Sequence, residues 1–144
     1  MIELRYINSL RKICLRLKKV KNPWVVSGSL SMALQGMNID VHDIDIQTNQ
    51  YGAYEIESCL VEYIVEPVRF STSERIRSHY GILEIDGVKV EIMGDLQKLL
   101  NNRVWEEPVQ VEVHRHWLCI EGMQVPVLSL EYEHQAYQIL VLAD

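Results

Sequence analysis

The chain contains the stretch Trp24-Val25-Val26-Ser27-Gly28-Ser29, an apolar run that ends in a Gly-Ser turn. Thirteen residues separate it from a second stretch, Asp43-Ile44-Asp45-Ile46. Side chains two positions apart on a strand point to one face, so we expect Asp43 and Asp45 to project together while the isoleucines face the core. Two carboxylates on one face repel each other unless a cation lies between them. Their oxygen atoms suit Mg²⁺, which proteins often hold through one or two carboxylates together with substrate phosphates.

The Gly28-Ser29 turn is predicted to open a helix directly after a buried strand. Backbone N–H groups at such a turn can bind a phosphate, and glycine lets the ligand approach because it has no Cβ. Two simpler interpretations stay open: Gly28 as an ordinary turn glycine and Ser29 as a helix N-cap. We interpret the pair as a nucleotide phosphate site that precedes the metal-binding aspartates.

A third acid follows in a predicted hairpin. The dipeptide Asp86-Gly87 lies between two alternating segments and is a strong hairpin signal. On the second strand Glu91 lies between two apolar residues. If that strand pairs beside the Asp43 strand, Glu91 can join the two aspartates; a plain outward-facing hairpin residue is the alternative.

These motifs, in this order, resemble the nucleotidyltransferase superfamily related to DNA polymerase beta. The chain is most similar to its small stand-alone domains, near the lincosamide and aminoglycoside adenylyltransferases. The resemblance covers roughly residues 22–137, and its most specific segments are Val41–Thr48, Arg75–Ser78 and Val90–Asp95. A lone Gly-Ser or Asp-x-Asp is a weak motif, whereas all three elements in sequence are a strong combination.

The resemblance implies a metal-dependent nucleotidyl transfer. Asp43, Asp45 and Glu91 would be the catalytic and metal-binding residues of a site with two Mg²⁺ ions, with Glu91 at the second metal or acting as general base. Gly28 and Ser29 would bind the nucleoside triphosphate. It also implies ATP as nucleotide and AMP transfer to a hydroxyl of an unidentified acceptor, a small molecule or a protein. Alternatives are an antitoxin-type domain that binds a partner protein, or a nucleotide-binding domain without turnover.

Arginines supply further candidate ligands for the triphosphate. Arg75 and Arg77 lie two apart in a segment otherwise poor in positive charge. Arginine suits phosphate recognition, with surface ion pairs as the alternative. The resemblance also leads us to expect Lys or Arg in the final helix, but residues 137–144 carry no cation. We expect either a truncated helix at 129–144, a cation from Arg75, Arg77 or a second subunit, or an apolar surface that forms a homodimer.

Length and composition are those of one globular domain. The 144 residues are 48% hydrophobic and 24% charged, and we treat 1–144 as a single nucleotidyltransferase-like domain. No apolar run approaches the roughly 20 residues of a membrane span, and basic residues interrupt any signal-peptide core. Three widely spaced cysteines favour thiols in a reducing compartment. We therefore expect a cytoplasmic protein with no membrane partner.

Charge is distributed unevenly along the chain. Residues 1–21, a predicted basic N-terminal helix, contain seven Lys or Arg residues and one acid, Glu3. That segment is formally +6, so the remainder of this −6 chain is −12. A basic helix could bind nucleic acid or an acidic partner, but the simpler interpretation is a solvated helix face. The acidic remainder argues against nucleic acid, which proteins bind through many phosphate contacts.

Mixed strands and helices with a hairpin predict an α+β fold with a single mixed β-sheet flanked by helices. The resemblance implies that this is the nucleotidyltransferase fold. The aromatic residues Trp105, Trp117, Tyr132 and Tyr137 are expected in the core. Pro67 is expected to end the third helix. The predicted helices cover 2–20, 29–35, 51–65, 96–100 and 129–144, and the predicted strands cover 24–27, 43–48, 68–71, 80–86, 88–93, 109–113, 117–120 and 123–128.

Overall fold

A computed structural model describes residues 2–142. The ends of the predicted terminal helices, at residue 1 and at 143–144, lie outside this range. The helices of the described range are α1 (Leu4–Arg16), α2 (Gly28–Leu34), α3 (Gln50–Cys59) and α4 (Leu130–Leu142), with short 3₁₀ turns at Val61–Tyr63 and Val111–Val113. The strands are β1 (Trp24–Ser27), β2 (Ile44–Thr48), β3 (Ile64–Thr72), β4 (Ile76–Ile85), β5 (Val88–Lys98), β6 (Arg115–Ile120) and β7 (Met123–Leu128).

The strands form one mixed sheet in the order β3-β4-β5-β2-β1-β7-β6. β2 pairs antiparallel with β1 and parallel with β5, and β1 pairs parallel with β7. The predicted α+β class with a single mixed sheet is therefore confirmed. No helix within residues 2–142 has the length and apolar character that crossing a membrane requires.

One face of the sheet carries the main core. Ile44, Ile46, Val90 and Ile92 on β2 and β5 are fully buried there, as the period-two pattern predicts. They belong to the cluster that holds the apolar stripe of α1, including Leu10 and Ile13, and Ala53 and Ile56 of α3. The Ser9 hydroxyl donates a 2.9 Å hydrogen bond to the carbonyl of Ile85, which ties α1 to the end of β4.

The opposite face is covered less completely. A small buried cluster contains Val25, Val109, Val111 and Leu128, with Leu96 and Tyr132 packed against it. The remaining cover comes from α4, and Asp45 and Gln47 of β2 lie on this face because they alternate with the buried isoleucines.

The predicted helix over 51–65, ended by Pro67, is wrong at its C-terminal part. α3 ends at Cys59, and Pro67 lies inside β3. β3 is an edge strand whose pairing with β4 shifts register between Glu66 and Arg69. Proline is tolerated at such a place because an edge strand at a bulge does not need every N–H.

Two shorter predictions are wrong, the first of them because long-range pairing overrode the local pattern. The predicted helix over 96–100 is instead the end of β5, where Gln97 and Lys98 pair with Arg77 and Ile76 of β4. The predicted strand over 109–113 contains a 3₁₀ turn. Two aromatic side chains also differ from expectation, since Trp117 is 56% exposed and Tyr137 is 65% exposed.

Candidate active site

Three carboxylates meet where β2 begins beside β5. Asp45 is the direct parallel neighbour of Glu91, and Asp43 lies two residues before Asp45 on the same side. One oxygen from each of Asp43, Asp45 and Glu91 can be chosen such that all lie within 4.8 Å of one another. The sequence predicted that Glu91 joins the aspartates if its strand pairs beside theirs. The pairing of β5 with β2 meets this condition.

The proximity of these acids perturbs their protonation. Burial, followed by the charges of Asp43 and Glu91, raises the pKa of Asp45 to about 8. Burial and Glu91 also raise the pKa of Asp43 above its usual value. Among the described residues, the lysine paired with the group is Lys89, whose half-exposed side chain places Nζ 3.0 Å from an oxygen of Glu91. Such an excess of negative charge favours binding of a cation.

The Gly28 turn lies directly against Asp45. Gly28 has a φ of +71°, and a Cβ built there would lie 2.4 Å from Oδ2 of Asp45. Glycine is therefore required both by backbone conformation and by the close approach of the carboxylate. Ser29, the next residue, accepts a 3.3 Å hydrogen bond from the backbone N–H of His42, so its hydroxyl ties α2 to the segment that leads into Asp43.

A fourth carboxylate, Glu133, reaches the same turn from α4. Its Oε1 accepts a 2.6 Å hydrogen bond from the backbone N–H of Gly28. Burial raises the pKa of Glu133 to about 7, against the lowering effect of that bond and of the Ser31 hydroxyl. Sequence reasoning missed this residue. The sequence signal for Glu133 is weak: it is an acid within a mostly apolar helix, and Glu131 of the same helix shares that property.

A cavity of about 460 Å³ extends from Gly28 and Asp45 beneath α4. Its walls are mostly apolar, with Met93 and Leu96 from the sheet and Leu140 from α4. Within the described part of the chain, the buried side-chain atoms without a hydrogen-bond partner are Asp45 Oδ1, Gln47 Oε1 and Glu133 Oε2. All three residues line this cavity, and all three atoms are hydrogen-bond acceptors as placed. Buried acceptors normally have partners, so the cavity is suited to a cation or to a ligand with donor groups.

A sequence profile of the aminoglycoside-2''-adenylyltransferase family matches residues 9–141. The chain belongs to this family. Its structure is similar to that of TM1012 from Thermotoga maritima, a candidate nucleotidyltransferase that is 54% identical over 99% of this chain and 88% of that protein, with a TM-score of 0.94. The nucleotidyltransferase-like identity inferred from the sequence is therefore confirmed. A search of curated protein sequences finds no significant match.

More distant structures share the fold. The lincosamide adenylyltransferase LnuA, solved with bound lincomycin, is 13% identical, with a TM-score of 0.57 over 89% of this chain and 83% of its own. The enzyme ANT(2'')-Ia, solved with adenylyl-2''-tobramycin, is 14% identical, with a TM-score of 0.59 over 93% of this chain and 76% of its own.

Of the two predicted nucleotide-binding arginines, Arg77 lies away from the carboxylates. Arg77 pairs with Gln97, six residues beyond Glu91 along β5, which corresponds to on the order of 20 Å. Its guanidinium donates to Oε1 of Gln97 and lies 4.4 Å from the centroid of the Trp105 ring. The guanidinium of Arg75 donates to the carbonyl of Leu140 at 2.9 Å. The role of both arginines in nucleotide binding stays a prediction.

Proposed function

We propose that this adenylyltransferase-family chain transfers a nucleoside monophosphate, AMP from ATP, to a hydroxyl of an acceptor molecule. The observation that carries the proposal is the triad of Asp43, Asp45 and Glu91, assembled from two strands in a chain of this family. Burying two like charges beside a third is costly, and the cost is offset if the acids hold a cation.

The donor set fits Mg²⁺. The triad offers only carboxylate oxygens, and Oδ1 of Asp45 is buried without a partner, as expected of an atom reserved for a ligand. Bound there, Mg²⁺ would supply charge neutralisation on the reacting phosphate oxygens.

The chain's own residues would position the reactants. Asp43 and Asp45 hold their carboxylates on one side of β2, and Glu91 faces them from β5. Glu91 would accept the proton of the acceptor hydroxyl or help to hold the metal. The Gly28-Ser29 turn lies against Asp45, and the Gly28 N–H, which donates to Glu133, is suited to a phosphate in place of that carboxylate. The cavity beneath α4 adjoins these groups and has room for part of a substrate.

One observation favours a second candidate, a nucleotide-binding domain without turnover. α4 directs Glu133 at the Gly28 turn, where a cation would be expected to assist a triphosphate. A carboxylate at that position competes with a phosphate for the same N–H. In this alternative the chain binds Mg-nucleotide but releases no pyrophosphate.

The test combines calorimetry with a pyrophosphate assay. Mg²⁺ and a non-hydrolysable ATP analogue should bind the full chain, and the Asp43→Asn/Asp45→Asn double variant should not. Pyrophosphate release should then be measured with Mg-ATP and candidate acceptors, beginning with lincomycin, which is bound in LnuA, and tobramycin, whose adenylyl derivative is bound in ANT(2'')-Ia. Equal affinity in the double variant would contradict the metal site. Binding without pyrophosphate release for any acceptor would favour the second candidate.

A further inference from the structure

A second and larger cavity lies away from the carboxylates. It has a volume of about 930 Å³ and lies between the second half of α1, the segment 20–23 and the β6–β7 hairpin. Trp24 lines it at the start of β1, whereas Gly28 follows the end of β1. Four residues of strand correspond to about 13 Å, so a ligand here does not overlap the triad. Small-molecule sites commonly have volumes of this order.

The walls of this second cavity combine aromatic and aliphatic side chains. Trp24 is buried, with only 9% of its surface exposed, while Trp117 and Leu15 are 56% and 58% exposed. Met123 adds a flexible apolar side chain at the start of β7. Exposed tryptophan and leucine beside a concavity offer a flat surface on which an aromatic ring can stack.

The same cavity collects positive charge in a chain whose net charge is −6. Its charged lining consists of Arg11, Lys18, Lys21 and Arg115 against one acid, Glu112. The Arg115 guanidinium lies 5.1 Å from the centroid of the Trp117 ring, so it is held at the aromatic wall.

Within residues 2–142, Arg11, Lys18 and Arg115 are not neutralised by strong ion pairs. Arg11 approaches an oxygen of Glu121 at 3.6 Å, between two side chains that are each over 40% exposed. Exposed pairs of this kind contribute little. Lys18 forms no salt bridge within residues 2–142. Several basic residues of the N-terminal segment thus line a cavity that takes no part in the proposed transfer reaction.

We propose that this cavity binds a small organic anion, an aromatic or similarly flat apolar body that carries a carboxylate or a phosphate group. The ring would stack at Trp117 while the anionic group meets Arg115 and Lys18. An extended nucleic acid fits less well, because the acidic remainder of the chain would repel its phosphates outside the cavity. The proposal is independent of the transfer reaction, since no residue of the triad takes part.

The test is a titration of the full chain in EDTA, so that no metal-nucleotide complex contributes. The probes are 2-naphthoate, 2-naphthyl phosphate and the neutral 2-naphthalenemethanol, followed by calorimetry and by quenching of tryptophan fluorescence. We expect one site per chain, with at least one anionic probe bound ten times more tightly than the neutral one and weakened by added salt. Comparing the two anions distinguishes a carboxylate from a phosphate ligand.

Variants locate the site. Trp117→Ala, at an exposed position, and Arg115→Gln with Lys18→Gln should each weaken binding of the anionic probe at least tenfold. Lys12→Gln is the matched control, because Lys12 lies on the same helix, outside the cavity, in an exposed pair with Asp86. It should leave the dissociation constant within twofold, and so should Asp43→Asn/Asp45→Asn.

Three results would overturn the proposal. One is equal affinity for the neutral and anionic probes, and another is unchanged affinity in the Trp117 or Arg115/Lys18 variants. The third is altered probe affinity in the aspartate double variant, which would place the anion at the carboxylates. Circular dichroism of each variant must match that of the parent chain.

Discussion

The two faces of the central sheet have opposite chemistry although the same strands build both. On the α1–α3 face, β2 contributes Ile44 and Ile46, both fully buried. On the other face, it contributes Asp45 and Gln47, whose side chains each leave a buried oxygen without a partner. The first face stabilises the fold through apolar packing. The second face contributes less stability, because its buried polar atoms lack partners and stay available for a ligand. Substitutions at alternate residues of β2 should therefore have opposite effects on the stability of the folded chain.

The largest effect should come from removing charge on the second face. Asp43→Asn/Asp45→Asn should reduce the proposed nucleotidyl transfer by at least a thousandfold, about 4 kcal/mol, because the carboxylates proposed to hold the cation are lost. Stability should be unchanged or higher, since repulsion between like charges is relieved. Steady-state pyrophosphate release and thermal melting in EDTA measure both. A folded double variant with normal activity, or a clearly destabilised one, would contradict the contrast between the faces.

A nearly comparable effect, on stability, should come from the core face. Ile46→Ala should cost about 2–5 kcal/mol of unfolding free energy because it leaves a cavity among closely packed side chains. Gln47→Ala, the adjacent residue on the other face, should cost less than about 1 kcal/mol, since the Gln47 Oε1 has no partner to lose. Urea unfolding at pH 7 gives the two values. Similar costs would mean that the second face is packed as tightly as the first.

The pH dependence of the stability of the folded chain should differ with and without Mg²⁺. Asp45 has a pKa of about 8 in the folded chain, against about 4 when unfolded, so the folded state binds the proton more tightly. The stability due to this proton is complete below pH 4 and declines as the pH rises through 8. In EDTA, raising the pH from 5.5 to 8.5 should therefore cost the parent about 1–3 kcal/mol more than Asp45→Asn.

Added Mg²⁺ should reverse this trend, because a cation favours the ionised carboxylates. Melting curves at the two pH values, with EDTA or with Mg²⁺, make the comparison. If the stability of the parent and of Asp45→Asn in EDTA varies with pH in the same way, the fold does not raise the pKa of Asp45. Because Glu133 has a pKa of about 7, the stability of Asp45→Asn should also decline as the pH rises, but less steeply than that of the parent.

The smallest expected effect is an increase in affinity. Glu133→Gln should tighten Mg-nucleotide binding about three- to tenfold, or roughly 1 kcal/mol, because a negative charge leaves the Gly28 N–H that a phosphate would use. Glu131→Gln, an exposed acid on the same helix, is the matched control and should change little. Calorimetry with a non-hydrolysable ATP analogue measures both. Weaker binding in Glu133→Gln would indicate that this carboxylate holds the ligand rather than competing with it.

Local sequence was enough to predict much of the site. The period-two alternation predicted that Ile44 and Ile46 of β2 would face the core, and the Asp86-Gly87 turn predicted the hairpin that carries Glu91. Both inferences depend on neighbouring residues alone, and both were confirmed. Pro67 and the end of β5 were misjudged because their conformation depends on pairing with β4, which no local pattern records.

By itself, then, the sequence indicated the family, the α+β class and the candidate acids Asp43, Asp45 and Glu91, because each inference rests on motifs of a few consecutive residues. Only the pairing of β2 with β5 brought Glu91 beside the aspartates. Tertiary structure alone placed Glu133 on the Gly28 N–H, across 105 residues of chain. It also brought the basic helix α1 beside Trp117 of an edge strand. Such contacts arise when distant elements pack on a shared sheet, and packing depends on the whole chain rather than on any segment's own pattern.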